Sequence, residues 1–236
     1  MTSRDQDHHR PRRAVLVLAD RLSTDLARRR LPAGAAALLK LAEVTRIACG
    51  GAEIHVFTPG AVPMAHATVH HQVGRTFAAR FENAVEELHG LGFSEIVAIG
   101  VDCPGLCATD IATAFAQLQN HRLVLGPDHR GGCYLIAFRS SERELVRNVT
   151  WRRNGDCAQL ARRCSREQLC LLGTKQDVDS WSDLNLLALG FGRLAKLARW
   201  LVAIFQSATV FGRQIVDLAA LHLRARWQLP PPARAL

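Results

Sequence analysis

Short apolar runs alternate with helically spaced apolar positions between residues 14 and 138. Ala14-Val-Leu-Val-Leu-Ala19 is a continuous apolar run of the length a strand needs when both of its faces are covered. Glu53 to Thr58 predicts a second strand, stopped by Pro59-Gly60. Glu95-Ile-Val-Ala-Ile-Gly-Val101 is the strongest strand signal in the chain and runs directly into Asp102-Cys-Pro-Gly-Leu106. Arg122 to Leu125 and Cys133 to Phe138 predict two more.

Between these runs the period changes. Leu38, Leu39, Leu41 and Val44 predict a helix over 33–47, closed by Gly50-Gly51. Phe77, Phe81, Ala84, Val85 and Leu88, interleaved with Arg80, Glu82, Glu86 and Glu87, predict another that ends at Gly90 and Gly92. Ile111, Ala114, Phe115 and Leu118 mark a further one. Strands alternating with helices at this spacing imply βαβ units: an α/β fold with a mainly parallel sheet covered by helices on both faces. Ligands of such sheets bind outside the carboxyl ends of the strands, which singles out Asp20, Asp102 and the Gly126-to-Gly132 loop.

Past residue 190 the pattern differs. Leu194, Leu197, Leu201, Ile204 and Phe205 recur at helical spacing beside Arg193, Lys196 and Arg199, and the pattern resumes after Gly212. The expected organisation is a basic tail over 1–13, a domain over 14–189 and an amphipathic helical extension over 190–236. No stretch of the extension is free enough of charge to span a bilayer. A basic amphipathic helix can lie on an anionic membrane surface, pack on its own domain or join a second copy in a homo-oligomer, and these alternatives stay open.

Composition narrows the classes. The chain has 236 residues, 48% of them apolar and 22% charged, which suits a folded domain with a substantial core. Formal net charge is +9, carried by arginine except for Lys40, Lys175 and Lys196. The excess gathers in the first thirty residues and after Arg139, not on one element, and a single tyrosine offers no base-stacking surface, so no nucleic-acid partner is expected. Seven cysteines without a Cys-x-x-Cys pair exclude a zinc framework. The polar start lacks the apolar core of a secretory leader, which predicts a reduced, cytoplasmic protein, membrane-associated only if the extension binds lipid.

Three segments can carry chemistry. Asp102 leaves a buried strand, and Pro104-Gly105 turns the chain just after it. A carboxylate fixed there suits a hard cation such as Mg²⁺ or Mn²⁺, which can bridge the phosphates of a nucleotide or nucleotide sugar. The same carboxylate can instead cap the helix that begins near Asp110, or the turn itself. Gly126-Pro-Asp-His-Arg-Gly-Gly-Cys-Tyr134 is either a loop whose glycines let backbone approach a ligand or a tight hairpin. The two carboxylates of Asp177-Val-Asp179 can complete a metal site with Asp102, or Asp179 or Ser180 simply caps the following helix. His129 is an isolated loop histidine, His8-His9 and His70-His71 lack ligand spacing, and Cys103 has no base placed beside it.

Taken together and in order, Ile99-Gly-Val-Asp-Cys-Pro-Gly-Leu106, Leu125-Gly-Pro, Gly131-Gly-Cys-Tyr-Leu-Ile136 and Asp177-Val-Asp179 with Asp183-Leu184 resemble the radical-SAM/selenodomain-associated transferase family. That bacterial family is similar to 2-phospho-lactate guanylyltransferase and belongs to the nucleotide-diphospho-sugar transferase (GT-A) superfamily. Gln72-x-Gly74 with Arg80, and Trp151, match its upstream and downstream segments. The resemblance covers roughly residues 14–189 and implies a GT-A fold. It implies that Asp102 binds metal and nucleotide diphosphate, with Asp177 or Asp179 as second metal ligand or base. It also implies that Gly131 and Gly132 line the acceptor or sugar pocket, and that the first strand and its loop, around Leu18 to Arg30 and including Asp20, hold the nucleotide.

This sequence departs from the family at three places. The first loop lacks the lysines and Pro-Gly of the family and carries Arg28, Arg29 and Arg30, which can supply bidentate phosphate contacts or form a solvated helix face. The family's Asp-Gly-Gly is Arg130-Gly-Gly, and Arg152-Arg153 follow Trp151 in place of Ser-Thr. The expectation is a divalent-metal-dependent glycosyl- or nucleotidyltransferase using a nucleotide or nucleotide-sugar donor. The alternative is a catalytically degenerate scaffold that binds a protein partner or a membrane surface through its basic extension.

Overall fold

The computed structural model describes residues 11–19, 52–59, 67–100, 102–178 and 180–189, with short helical pieces at 195–196, 198–200 and 202–203. The expected helix over 33–47, Asp20, Arg28, Arg29, Arg30, Asp179 and most of the tail and extension lie outside these residues.

The described elements are β1 (Arg13–Leu18), β2 (Glu53–Thr58), β3 (Ala67–His71), α1 (Phe77–Gly90), β4 (Glu95–Ile99) and α2 (Ala108–Gln117). They continue with β5 (Leu123–Pro127), β6 (Cys133–Arg139), α3 (Asp156–Ala161), β7 (Leu169–Leu171) and α4 (Trp181–Leu189), and two 3₁₀ turns, Ser140–Val146 and Arg166–Gln168. Seven strands form one sheet in the order β3-β2-β1-β4-β6-β5-β7. β6 is antiparallel to β4 and β5, and every other pairing is parallel. The fold is therefore α/β with a mostly parallel sheet, as the alternating pattern predicts.

Alternation along each strand sorts the core into two layers. Ala14, Leu16, Ile96, Ala98, Leu123, Leu125, Ile136 and Phe138 face α1 with its Phe81, Ala84, Val85 and Leu88. Val15, Val17, Val97, Ile99, Val124, Leu135 and Ala137 face α2 with its Ile111, Ala114, Phe115 and Leu118. Successive side chains of a strand point to opposite faces, so both layers come from the same short runs. Each helix also carries its own start signal. Thr76 Oγ1 accepts from Ala79 N at 3.1 Å to cap α1. Asp110 accepts from Cys107 N at 2.8 Å to close the first turn of α2.

Two strands escape the apolar pattern. β7 has three residues, and β3 is a polar edge strand paired with β2 alone. β3 brings His70 beside His55, with His55 Nδ1 and His70 Nε2 at 2.9 Å and His70 Nδ1 on Glu87 of α1 at 2.6 Å. His70 stacks on Phe57, and Phe93 meets the His55 ring edge-on. This gives His70, which the sequence reading left without a role, a structural one. Burial, then the neighbouring His70 and Arg12 charges, hold the His55 pKa below its usual 6.5 against the pull of Glu53 and Glu87. The folded state thus resists a proton that the unfolded chain takes up freely. Stability is fully present above pH 6.5 and falls as the pH drops from there through the lowered folded-state value. Thermal melts between pH 7.5 and 5.5 should show this loss, and His55→Gln should flatten it. Equal slopes for the two proteins would contradict the assignment.

Candidate functional site

Because six strands run the same way, the carboxyl ends of β1, β2, β3, β4, β5 and β7 share one edge of the sheet. At β4 the chain leaves through Gly100, whose N–H donates to the Tyr134 carbonyl at 2.9 Å. Asp102 follows, half-buried, with its side chain folded back over Gly100: a Cβ on Gly100 would lie 2.6 Å from Asp102 Oδ1. Cys103 is fully buried, a packing role for that thiol. The turn at Pro104-Gly105 then feeds α2. Asp110 and Cys107 cap that helix.

The segment after β7 crosses this same edge. Leu172 N donates to Leu125 O at 2.8 Å, Lys175 N to Pro127 O at 3.1 Å, and Val178 N to Asp102 O at 2.7 Å. Successive bonds to β5, to its end and to the residue past β4 carry Asp177 back across the sheet to the backbone of Asp102. This juxtaposition spans strands far apart in sequence, which no local pattern encodes. Asp183 has a separate task. Ser180 N and Oγ donate to its Oδ2 at 2.8 Å, a capping box at the start of α4, and Oδ1 pairs with Arg130 at 2.5 Å.

Lys175 pins the crossing segment. Its Nζ donates to Gly105 O and pairs with Asp110, each at 2.8 Å. Burial opposes ionisation of Asp110. Hydrogen bonds from the Cys107 thiol, Lys175 and the Cys107 backbone, with the Lys175 charge, outweigh it and hold the carboxyl below its usual 3.8. The contribution is present above pH 3.8 and lost as the pH falls through the lowered value. Lys175→Met should destabilise the fold by about 1–2 kcal/mol at neutral pH. In denaturant titrations the gap from wild type should narrow as the pH falls below 3.8, leaving the share due to the Gly105 bond; a gap constant with pH would contradict this.

The loop between β5 and β6 is a tight hairpin, the plainer of the two readings open for it. Asp128 N donates to Gly132 O at 3.0 Å, and Asp128 Oδ1 accepts from Arg130 N at 2.6 Å and Gly132 N at 2.9 Å. Asp128 was missed as an organiser, although an aspartate opening a glycine-rich turn is its own signal. Gly131 has φ +93°, and a Cβ there would meet Asn154 O at 2.5 Å, so the loop leans on the 151–156 segment. In that segment Arg152 lies over the Phe77 ring at 4.2 Å, and Trp151 packs on Phe77 and Phe81. Gly131 and Gly132 stand on the same edge as Asp102. His129 is exposed.

On the β3 side, Gln72 was seen as a motif residue but not as a structural one. Its Nε2 donates to Ala19 O at 3.0 Å and Phe57 O at 2.7 Å, tying together the ends of β1 and β2. Its Oε1 is a buried acceptor that meets no donor among the described residues. Arg80 is half-buried in the first turns of α1, the helix that follows β3 in the chain. Among the described residues no three His, Cys, Asp or Glu side chains gather into a metal cluster, and no helix is long and apolar enough to cross a membrane.

This α/β fold, with its mostly parallel seven-stranded sheet, matches that of solved nucleotide-diphospho-sugar transferase neighbours. The chain belongs to the bacterial family described as "Uncharacterized protein conserved in bacteria (DUF2064)", which matches residues 14–153. No curated protein matches it. Among solved structures it is similar to a Desulfovibrio desulfuricans G20 protein assigned as a nucleotide-diphospho-sugar transferase: 20% identity, TM-score 0.65, covering 76% of this chain and 87% of that one. It is also similar to Rv0371c of Mycobacterium tuberculosis H37Rv, in complex with manganese, at 16% identity and TM-score 0.52, covering 75% and 98%. A third similar structure is CMP:2-keto-3-deoxy-manno-octonic acid synthetase complexed with CTP, at 11% identity and TM-score 0.52, covering 80% and 99%. At these identities the likeness shows the fold.

Proposed function

We propose that this protein is a divalent-metal-dependent transferase that moves a glycosyl or nucleotidyl group from a nucleotide or nucleotide-sugar donor. The observation that carries the reading is the 2.7 Å bond from Val178 N to Asp102 O, which lays the Asp177 segment against Asp102 at the carboxyl edge of the sheet. Two carboxylates there are the hard oxygen donors that Mg²⁺ or Mn²⁺ prefers, and such ions complete their coordination with water and donor phosphate rather than with an all-protein cage. The residues present therefore fit a cation held by Asp102 with Asp177 or Asp179, and the manganese complex of Rv0371c supports that choice of ion. Bound there, the ion would neutralise charge that develops on the donor diphosphate.

The chain's own residues do the rest by positioning. The Asp128-organised hairpin presents Gly131 and Gly132 to the acceptor or sugar. Asp20, Arg28, Arg29 and Arg30 hold the donor phosphates, with Arg80 on the β3 side. Nucleotide binding is supported by the CTP complex of the similar synthetase. The finer likeness to the radical-SAM/selenodomain-associated transferases and 2-phospho-lactate guanylyltransferase rests on the motifs quoted above. In this reading residues 14–189 form the transferase domain and 190–236 an extension that packs on that domain, joins a second copy or lies on a membrane surface.

A thermal-shift screen of nucleoside triphosphates and nucleotide sugars, with Mg²⁺ and with Mn²⁺, tests this. At least one donor should raise the Tm only when the metal is present, by about 2.7 kcal/mol of stabilisation at a hundredfold excess over Kd. Absence of any metal-dependent shift at millimolar donor would favour the degenerate scaffold instead.

A further inference from the structure

Cys133 opens β6 directly after the glycine hairpin, and Cys157 sits in the first turn of α3. The chain brings them together through one backbone bond, Cys157 N to Gly131 O at 3.2 Å. Both side chains are partly buried and pack against the same core layer. Both are free thiols, as are Cys103, Cys107, Cys164 and Cys170 among the described residues. We infer that Cys133 and Cys157 form a reversible oxidation site, a dithiol that a low-molecular-weight disulfide converts into an intramolecular disulfide beneath the glycine hairpin.

The chemistry assigns each sulfur a part. The hydrogen bond from Cys133 favours the Cys157 thiolate and outweighs burial and the Asp128 and Asp156 charges, so the Cys157 pKa is lowered while that of Cys133 is raised. Cys157 is thus the attacking sulfur. Its thiolate displaces one thiolate from the small disulfide, breaking that S–S bond and forming a mixed disulfide. Cys133 then gives up its proton to water and attacks the Cys157 sulfur. The protein S–S bond forms and the second small thiol leaves. Two protein thiols are oxidised and one small disulfide is reduced to two thiols. Burial alone pushes Cys170 up, and burial against a weaker pull from Arg122 pushes Cys164 up, so neither competes as nucleophile. The product would tie α3 to the base of the hairpin, whose Gly131 already contacts Asn154.

The test uses the full chain and glutathione disulfide, followed by alkylation and tryptic mapping without reductant. Cleavage after Arg130, Arg139, Arg153 and Arg162 isolates the two cysteines in Gly131–Arg139 and Asn154–Arg162. The expected result is these two peptides joined, released by dithiothreitol, with Cys157 reacting roughly tenfold faster than Cys103, Cys164 or Cys170. Cys133→Ser should stall at the glutathione adduct on Cys157, and Cys157→Ser should leave Cys133 unmodified. Linkage of Cys157 to Cys164, or full alkylation of Cys133 and Cys157 while other cysteines react, would overturn the inference. The wild-type map decides this even if neither variant folds, and it does not depend on the transferase reading.

Discussion

Asp102→Ala is expected to weaken metal-dependent donor binding on the order of 100-fold or more, because even groups that only orient a metal ligand are worth 10–100-fold. The fold should survive the change. The bond that locks the crossing segment is donated by Val178 N to the Asp102 carbonyl, which alanine keeps, and the α2 cap belongs to Asp110. A half-buried side chain at a strand end should shift the Tm by no more than about 2 °C. Calorimetric titration of donor into protein with Mn²⁺, paired with a melt, separates the two effects. Unchanged affinity would remove Asp102 from the site, and collapse of the melt would make it structural. Asp177→Ala should follow the same pattern, since Val178 N, not the Asp177 side chain, makes the cross-sheet bond.

The largest stability effect is expected at a glycine that looks unremarkable in the sequence. A Cβ on Gly126 would lie 2.4 Å from Tyr134 Cζ and under 3 Å from both Cε atoms. The ring has nowhere to go. It is fully buried in the α2-facing layer, and its hydroxyl donates to Gly173 O at 3.0 Å. Gly126→Ala must therefore displace either the ring or the β5–β6 pairing. Overpacking of this kind costs about 3 kcal/mol, which for a domain of this size lowers the Tm by about 6–12 °C. Tyr134→Phe should cost only about 1 kcal/mol, the worth of one hydrogen bond. The double variant Gly126→Ala/Tyr134→Leu should recover part of the loss. Differential scanning calorimetry of the three proteins measures this directly, and a Gly126→Ala melt within 2 °C of wild type would contradict the packing argument.

The sheet was legible where burial on both faces makes a strand continuously apolar, as in β1 and β4. Leu16 and Val17 need no partner information to be read as core. β3 was not legible: Ala67–His71 is a polar edge strand whose place comes from pairing with β2 and from the His55–His70–Glu87 bonds, which are tertiary. β7 is too short to show a period. The hairpin at Asp128 was visible as a glycine loop, and its closed form follows from side-chain acceptance by Asp128. At the site, Asp102 could be picked out because it ends the strongest strand. Its approach to Asp177 could not, since that depends on a segment crossing from β7 over β5 to the end of β4. Arg28, Arg29 and Arg30 rest on the family resemblance, Asp20 also on its place after the first strand and Asp179 also on its spacing from Asp177; all five lie outside the described residues.

The central claim is that a divalent cation is held between Asp102 and the Asp177 segment. Crystals of the full chain grown with Mn²⁺ and a donor from the thermal-shift screen test it most directly, through the anomalous signal of manganese. The account predicts a peak about 2.0–2.3 Å from a carboxylate oxygen of Asp102, with Asp177 or Asp179 and a donor phosphate oxygen completing the shell. Donor bound at this edge with manganese elsewhere, or with none, would contradict it.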